Sequence, residues 1–217
     1  DATLAVMRVE GLLGFFFEQA TVREFTRSAF VAPIFHFPLI VSGFVIAAFT
    51  RTLGFTWLAL LIVASELLIV FTRFIFSYEQ ALMGDLVRYW YAALFLFASA
   101  YTLYDDGHVR VDIIYAGRSS RTKGKLNAIG SIMLGLVTVW TILIIGMSGK
   151  TSIINAPIVN LEITQTGANG MFIKYQMAAF LAIFAATMII QFVSSLFEAV
   201  ADSRDEPGKR DNVAAAH

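Results

Sequence analysis

Five long apolar stretches constrain this chain more than any other feature of its sequence. A helix needs about 20 consecutive apolar residues to cross the hydrocarbon core of a bilayer, which is about 30 Å thick. Within lipid every backbone polar group must be satisfied internally, so only helices and closed barrels span membranes. The pattern predicts an all-α integral membrane protein. The stretches are residues 31–50, 55–74, 89–104, 126–147 and 176–197.

The composition excludes several classes of function. Hydrophobic residues make up 58% of the 217 positions, and 16 basic residues balance 16 acidic ones, so no net field attracts nucleic acid. The chain has no cysteine, which excludes disulfides, thiolate catalysis and Cys-ligated metals. No phosphate-binding glycine loop or HExxH motif is present, and His36 and His108 lie in unrelated segments. We therefore predict a protein that is not an enzyme and that carries no metal or other cofactor.

Composition also divides the chain into four predicted regions. The first mixes apolar and charged residues, as in an amphipathic segment that lies in the membrane interface or packs on the protein's other helices. An extra N-terminal hydrophobic span and the main helical membrane domain follow, and a charged, small-residue tail is expected to be disordered and cytoplasmic. These regions are residues 1–29, 30–52, 53–201 and 202–217.

Interfacial helices are predicted near residues 77–88 and 109–123, where charged and apolar positions alternate at helical spacing. In the N-terminal span, Pro33 and Pro38 predict a kink near one membrane face. Gly130 and Gly135 have no side chain and Ser131 has a small one, so another helix could approach closely at these positions.

The distribution of basic residues predicts the orientation. Cytoplasmic segments of membrane proteins are enriched in Lys and Arg. The linker after the third span and the tail are basic, whereas residues 148–170 carry few basic residues, so the linker and the C-terminus are predicted to be cytoplasmic. The N-terminus is then external if residues 31–50 span the membrane and cytoplasmic if they are re-entrant. The basic residues of the linker are Arg110, Arg118, Arg121, Lys123 and Lys125.

One carboxylate, Glu66, lies inside an apolar span. Burying it in lipid is costly, so it is expected to face protein or to be protonated. Arg73 lies two helical turns further on, about 10 Å along the same face. Glu66 is interpreted either as a hydrogen-bonding partner of a neighbouring helix or as the ion-coupling carboxylate of a small carrier.

The densest polar segment, residues 105–115, follows the third span. Gly107 is well placed to end that helix. Beyond it, His108 and Asp112 share a face if the segment is helical, and Arg110 joins them if it is extended. Two readings remain open, a charged anchor at the end of a span and a contact with a partner.

Three motifs in this order resemble the small membrane subunit (DctQ type) of tripartite ATP-independent periplasmic (TRAP) transporters. Arg73-Phe74-Ile75-Phe76 is similar to the end of the family's first span. Asp85 to Arg88 is similar to the start of the next span, although Gly84 stands where a first acid is usual. His108, Arg110 and Asp112 match the His-x-Arg-x-Asp motif. The resemblance extends over residues 55–197, and the hydrophobic segment before it is additional.

The resemblance implies a non-enzymatic subunit in the bacterial inner membrane. Its expected partners are membrane lipids, a periplasmic substrate-binding protein and a large membrane subunit that holds the sodium and substrate sites. This chain would scaffold the large subunit in sodium-driven uptake of organic acids. Tyr101-Thr102-Leu103 and Tyr115 are similar to the branch associated with 2-oxo acids and other monocarboxylates. The expected structural or interface residues are Arg73, Asp85, Arg88, His108, Arg110 and Asp112.

Two other functions stay open at the level of the sequence. One is a self-contained small carrier or channel that uses Glu66. The other is a membrane scaffold unrelated to transport.

Overall fold

The structure, a computed structural model, describes residues 2–50, 54–78, 81–105, 115, 117–164 and 170–206. All regular elements within these ranges are helices, and they contain no strand. In chain order the helices are α1 Ala2–Val9, α2 Leu13–Phe16, α3 Gln19–Glu24, α4 Ser28–Phe49, α5 Phe55–Phe76, α6 Ala81–Tyr104, α7 Ser120–Met147, α8 Asn155–Asn160 and α9 Lys174–Arg204.

The predicted all-α membrane class is confirmed. Among the described residues α4, α5, α7 and α9 are long and apolar enough to cross a membrane. The extra N-terminal span corresponds to α4, while α7 and α9 begin before residues 126 and 176, where their spans were predicted to begin. Helix α9 continues to Arg204, and residues 207–217 lie outside the described residues.

The predicted third span, residues 89–104, lies within α6. This helix begins at Ala81, so residues 81–88 form its first two turns rather than a separate interfacial helix. The preceding helix, α5, ends at Phe76, and the next residue, Ser77, has a φ of 50° in the left-handed region. At about 1.5 Å per residue the 24 residues of α6 exceed the thickness of a bilayer core. Its charged and aromatic first half leaves it without an 18-residue stretch as apolar as those of the four helices above.

Two of the spans contain a turn of π-helix. In α4 this turn is Ala32–His36, and the two predicted kink residues, Pro33 and Pro38, lie within it and just after it. Proline lacks a backbone N–H, so the altered hydrogen-bond pattern accommodates both rings without ending the helix. In α7 the π-turn is Ser131–Leu136.

Contacts divide the chain into two compact units. The first comprises Asp1–Ala98 and Gly149–Leu181. Its core consists of residues from the N-terminal helices packed on the segment that leads into α9. Thus the predicted amphipathic segment, residues 1–29, packs on other parts of the protein, while its Phe15 remains 83% exposed. The buried residues are Ala5, Leu13, Phe25, Val31, Ala32, Leu82, Met171, Phe172, Ile173 and Tyr175.

The second unit comprises Ser99–Ser148 and Ala182–His217. Its core is a cluster of Val139, Ala185 and Met188 between α7 and α9. A Cβ atom on Gly124 would lie 2.6 Å from both the Ala199 carbonyl oxygen and the Ser203 nitrogen. The absence of a side chain at this position therefore allows the backbones of α7 and α9 to approach closely.

Candidate functional site

A buried carboxylate at the start of α6 organises one end of the first unit. Asp85 is 1% exposed. Its Oδ2 accepts hydrogen bonds from the Thr164 hydroxyl at 2.8 Å and from the Met171 backbone N–H at 3.1 Å. Arg88, one turn along α6, places Nη1 3.7 Å from Asp85 Oδ1 while its own side chain is largely exposed. Buried charged groups require such partners, so Asp85 fixes the segment before α9 to α6.

The N-terminal helix binds the same segment from another direction. The Arg8 guanidinium donates a hydrogen bond to the Gly170 carbonyl oxygen and lies over the Phe172 ring, 4.2 Å from its centroid. Burial lowers the pKa of Arg8, but a guanidinium remains protonated at any physiological pH. Arg8 therefore connects α1 to the segment that Asp85 also holds.

An ion pair marks the beginning of α9. Lys174 Nζ lies 2.5 Å from Glu162 Oε2. The hydrogen bond from Lys174 lowers the pKa of Glu162. A lysine at this position links the preceding segment to the first turn of the last span.

A buried polar network joins α4, α6 and α9. His36 is 4% exposed, and its Nδ1 is hydrogen bonded to the Tyr175 hydroxyl. The Gln176 amide donates to the same nitrogen at 3.0 Å, and the Tyr89 hydroxyl donates to Gln176 Oε1 at 2.7 Å. These bonds give His36 Nδ1 two partners and link the three helices inside the first unit.

In the second unit, polar contacts link the described part of the linker to α7 and α9. Asn127 donates a hydrogen bond to the Tyr115 hydroxyl at 2.8 Å, and Lys123 lies over the Tyr115 ring. Arg121 Nε lies 2.8 Å from Asp205 Oδ2, just after the end of α9. Two basic linker residues, Arg121 and Lys123, therefore make contacts within this chain.

The structure places the predicted interface residues in three settings. Asp85 and Arg88 are in contact at the start of α6. Glu66 and Arg73 lie on α5 with exposed side chains. His108, Arg110 and Asp112 lie outside the described residues. Sequence reasoning missed Thr164, Met171 and the His36 network, because each contact joins positions that are far apart in the chain.

These arrangements hold helices together. In the described part of the chain no group of three or more His, Asp or Glu side chains could hold a metal ion. The polar side chains described above contact one another and backbone atoms, as in structural junctions.

A family model described as tripartite ATP-independent periplasmic transporters, DctQ component, matches residues 58–202. No curated protein and no solved structure matches the chain. The match spans well over half of the sequence and includes Arg73, Asp85, Arg88 and the His108 to Asp112 motif. It begins within α5, so α1 to α4 precede it. The chain therefore belongs to the DctQ family and is a small membrane subunit of a TRAP transporter.

Proposed function

We propose that this chain scaffolds the large membrane subunit of a bacterial inner-membrane importer that takes up organic acids. Uptake would be driven by sodium and would depend on a periplasmic binding protein. The observation that carries this proposal is the family match over residues 58–202. The sodium and substrate sites are assigned to the large subunit, which the family match implies as a partner.

The exposure of the spans supports a role in assembly. Little of each span is buried within the chain. In the most apolar 18-residue stretch of each helix, the buried share is 17% for α4, 6% for α5, and 11% for both α7 and α9. Helices with so little internal cover present most of their surface to lipid or to another membrane protein. A scaffold that adds surface to a larger subunit has this property.

The contacts at the start of α9 support one orientation. If the basic linker and the tail are cytoplasmic, α9 begins at the external face, and residues 161–164 and 170–173 lie there as well. Arg8 bonds to Gly170, so α1 is assigned to the same external face. In this topology α4 crosses the membrane, and the N-terminus is external. Because the Arg8 guanidinium makes a contact within the protein, its positive charge does not require α1 to lie on the cytoplasmic side.

We also assign the motif His108, Arg110 and Asp112 to the assembly of the cytoplasmic face, within this chain or against the large subunit. The contacts of Tyr115 and Arg121 support the proposal, since they tie the following part of the linker to helix ends.

Reconstitution tests the proposed function. The chain is co-expressed with its large subunit, and the purified pair is reconstituted in liposomes with the binding protein and a sodium gradient. We expect uptake by the pair and none by the chain alone. Uptake by the chain alone, abolished by Glu66→Gln, would instead establish a self-contained carrier. A chain that purifies without any membrane partner, in cells whose organic-acid uptake survives its deletion, would indicate a scaffold unrelated to transport.

A further inference from the structure

Of the four apolar spans, helix α5 is the least buried by the rest of the chain. Only 6% of its most apolar 18-residue stretch is buried. Ser65 is the buried residue of this helix. Ile62, Ile69 and Thr72 share its side of the helix and are partly buried. Phe55, Leu58 and Ala59 are also partly buried, and the other side chains of α5 are exposed.

A carboxylate interrupts this outward surface at mid-membrane depth. Glu66 lies midway between Phe55 and Phe76, the ends of α5, and its side chain is exposed. It forms no hydrogen bond or ion pair with any residue that the structure describes. A carboxylate at this depth is unfavourable in contact with hydrocarbon, because nothing there replaces its hydration.

Apolar side chains flank Glu66 at helical spacing. Val63, one turn before it, is 54% exposed, and Val70, one turn after it, is 48% exposed. Residues three and four apart lie on one face of a helix, so these three form a continuous stripe. We name the stripe of Val63, Glu66 and Val70 the Glu66 face. Ionisable side chains within spans almost always face other protein or pair with another polar group, so the polar member of this stripe favours contact with another helix over contact with lipid.

We propose that the Glu66 face docks on a membrane-spanning helix of the large TRAP subunit that places a hydrogen-bond donor opposite Glu66. The donor is a hydroxyl, an amide or a basic side chain at mid-membrane depth. The inference rests on the proposed function, since it takes the large subunit as the partner. It adds the surface that binds and the chemistry that the partner must supply.

Charge distinguishes this partner from a second copy of the chain. Two copies related by a two-fold axis along the membrane normal would bring their Glu66 carboxylates to the same depth at the contact. Two ionised carboxylates in a low-dielectric environment repel strongly, so this pairing is unfavourable while Glu66 is charged. A different membrane protein can instead offer a donor.

Co-purification tests the role of the carboxylate. The tagged chain is expressed with the large subunit, and the amount of large subunit recovered is measured for Glu66→Leu, Glu66→Gln and Leu68→Ala. Leu68 is exposed on another side of α5 at nearly the same depth. We expect Glu66→Leu to weaken the association about tenfold, because one hydrogen bond to a charged group is lost. Glu66→Gln should retain more of the association, and Leu68→Ala should change it less than twofold.

Photocrosslinking tests the location. The chain has no cysteine, so Val63→Cys can be labelled uniquely with a benzophenone maleimide. Crosslinks to the large subunit support the proposal. Crosslinks only to a second copy, or only to lipid, overturn it. Recovery of Glu66→Leu with the large subunit at the wild-type level overturns it as well. Helical circular dichroism and gel filtration of each variant establish that the chain is folded.

The two proposals fail in different ways. If the wild-type chain recovers the large subunit but Val63 does not crosslink to it, only the Glu66 face is wrong. If the wild-type chain recovers no large subunit, both proposals are overturned.

Discussion

Asp85 Oδ2 and the Met171 backbone N–H are hydrogen bonded at 3.1 Å, although 86 positions separate the two residues in the chain. This bond and the one from Thr164 to the same oxygen attach two positions that precede α9 to a single buried carboxylate. The start of α6 and the approach to α9 therefore form one junction.

Removing the carboxylate should destabilise this junction. Asp85→Ala leaves the Met171 N–H and the Thr164 hydroxyl without their acceptor, and we expect a loss of about 2–3 kcal/mol of unfolding free energy. Thr164→Val removes one of the two donors and should cost about 1 kcal/mol. Thermal unfolding in detergent measures both. An Asp85→Ala protein as stable as wild type would contradict this account of the junction.

Arg8 should hold the N-terminal helix through the shape of its guanidinium as well as its charge. Arg8→Lys keeps the charge but loses the planar group that lies over Phe172 and bonds to Gly170. We expect faster amide hydrogen exchange in α1 and in residues 170–173, and a larger effect for Arg8→Ala. Arg23→Ala, at an exposed position, is the control and should leave the exchange unchanged. Equal exchange in all of these proteins would refute the role of Arg8.

Gly124 should tolerate no side chain. Gly124→Ala places a Cβ against the backbone of α9, so the helices must separate, at a cost of about 1–3 kcal/mol. Gly130→Ala is the matched control, because it lies in the same helix and a Cβ added there would meet nothing within 4 Å. There we expect no loss, since alanine favours helix over glycine. The melting temperatures of the two variants test this prediction. Equal melting temperatures would argue against close approach of the helices at Gly124.

The ion pair of Glu162 and Lys174 should make stability depend on pH. Lys174 lowers the pKa of Glu162 from its ordinary value of 4.5. A carboxyl with a lowered pKa stabilises the folded state above that ordinary value, and the contribution disappears as the pH falls through the lowered pKa. The wild type should therefore melt higher than Glu162→Gln at pH 7, and the difference should shrink below pH 4.5. A difference that stays constant down to about pH 3 would exclude this pair as its source.

Cysteine labelling should reveal the sidedness. Because the natural chain lacks cysteine, Glu18→Cys, Lys150→Cys and Arg118→Cys each provide one reactive thiol at an exposed position. A membrane-impermeant maleimide added to spheroplasts should label the first two, and it should label Arg118→Cys only after permeabilisation. Labelling of Lys150→Cys without Glu18→Cys would place α1 on the cytoplasmic side and contradict the assigned topology.

The sequence predicted the membrane class and the approximate spans because apolar length is a local property. It also singled out Asp85 and Arg88 through a motif. It could not predict the bonds of Arg8 with Gly170 or of His36 with Tyr175, which join positions 162 and 139 residues apart. Hydropathy carries no information on which helix ends meet. Gly124 was missed for the same reason, since a glycine in a helix indicates a close approach only when the neighbouring helix is known.

The family match starts at residue 58, yet the packing does not stop there. Leu13, Phe25 and Val31 precede the match and cover Phe172 and Tyr175, which lie within it. A shortened chain beginning at residue 58 would expose those aromatic rings to water or lipid and leave the Gly170 carbonyl without Arg8. The helices before residue 58 thus share one hydrophobic core with residues inside the family match. We do not expect them to be removable without exposing that core.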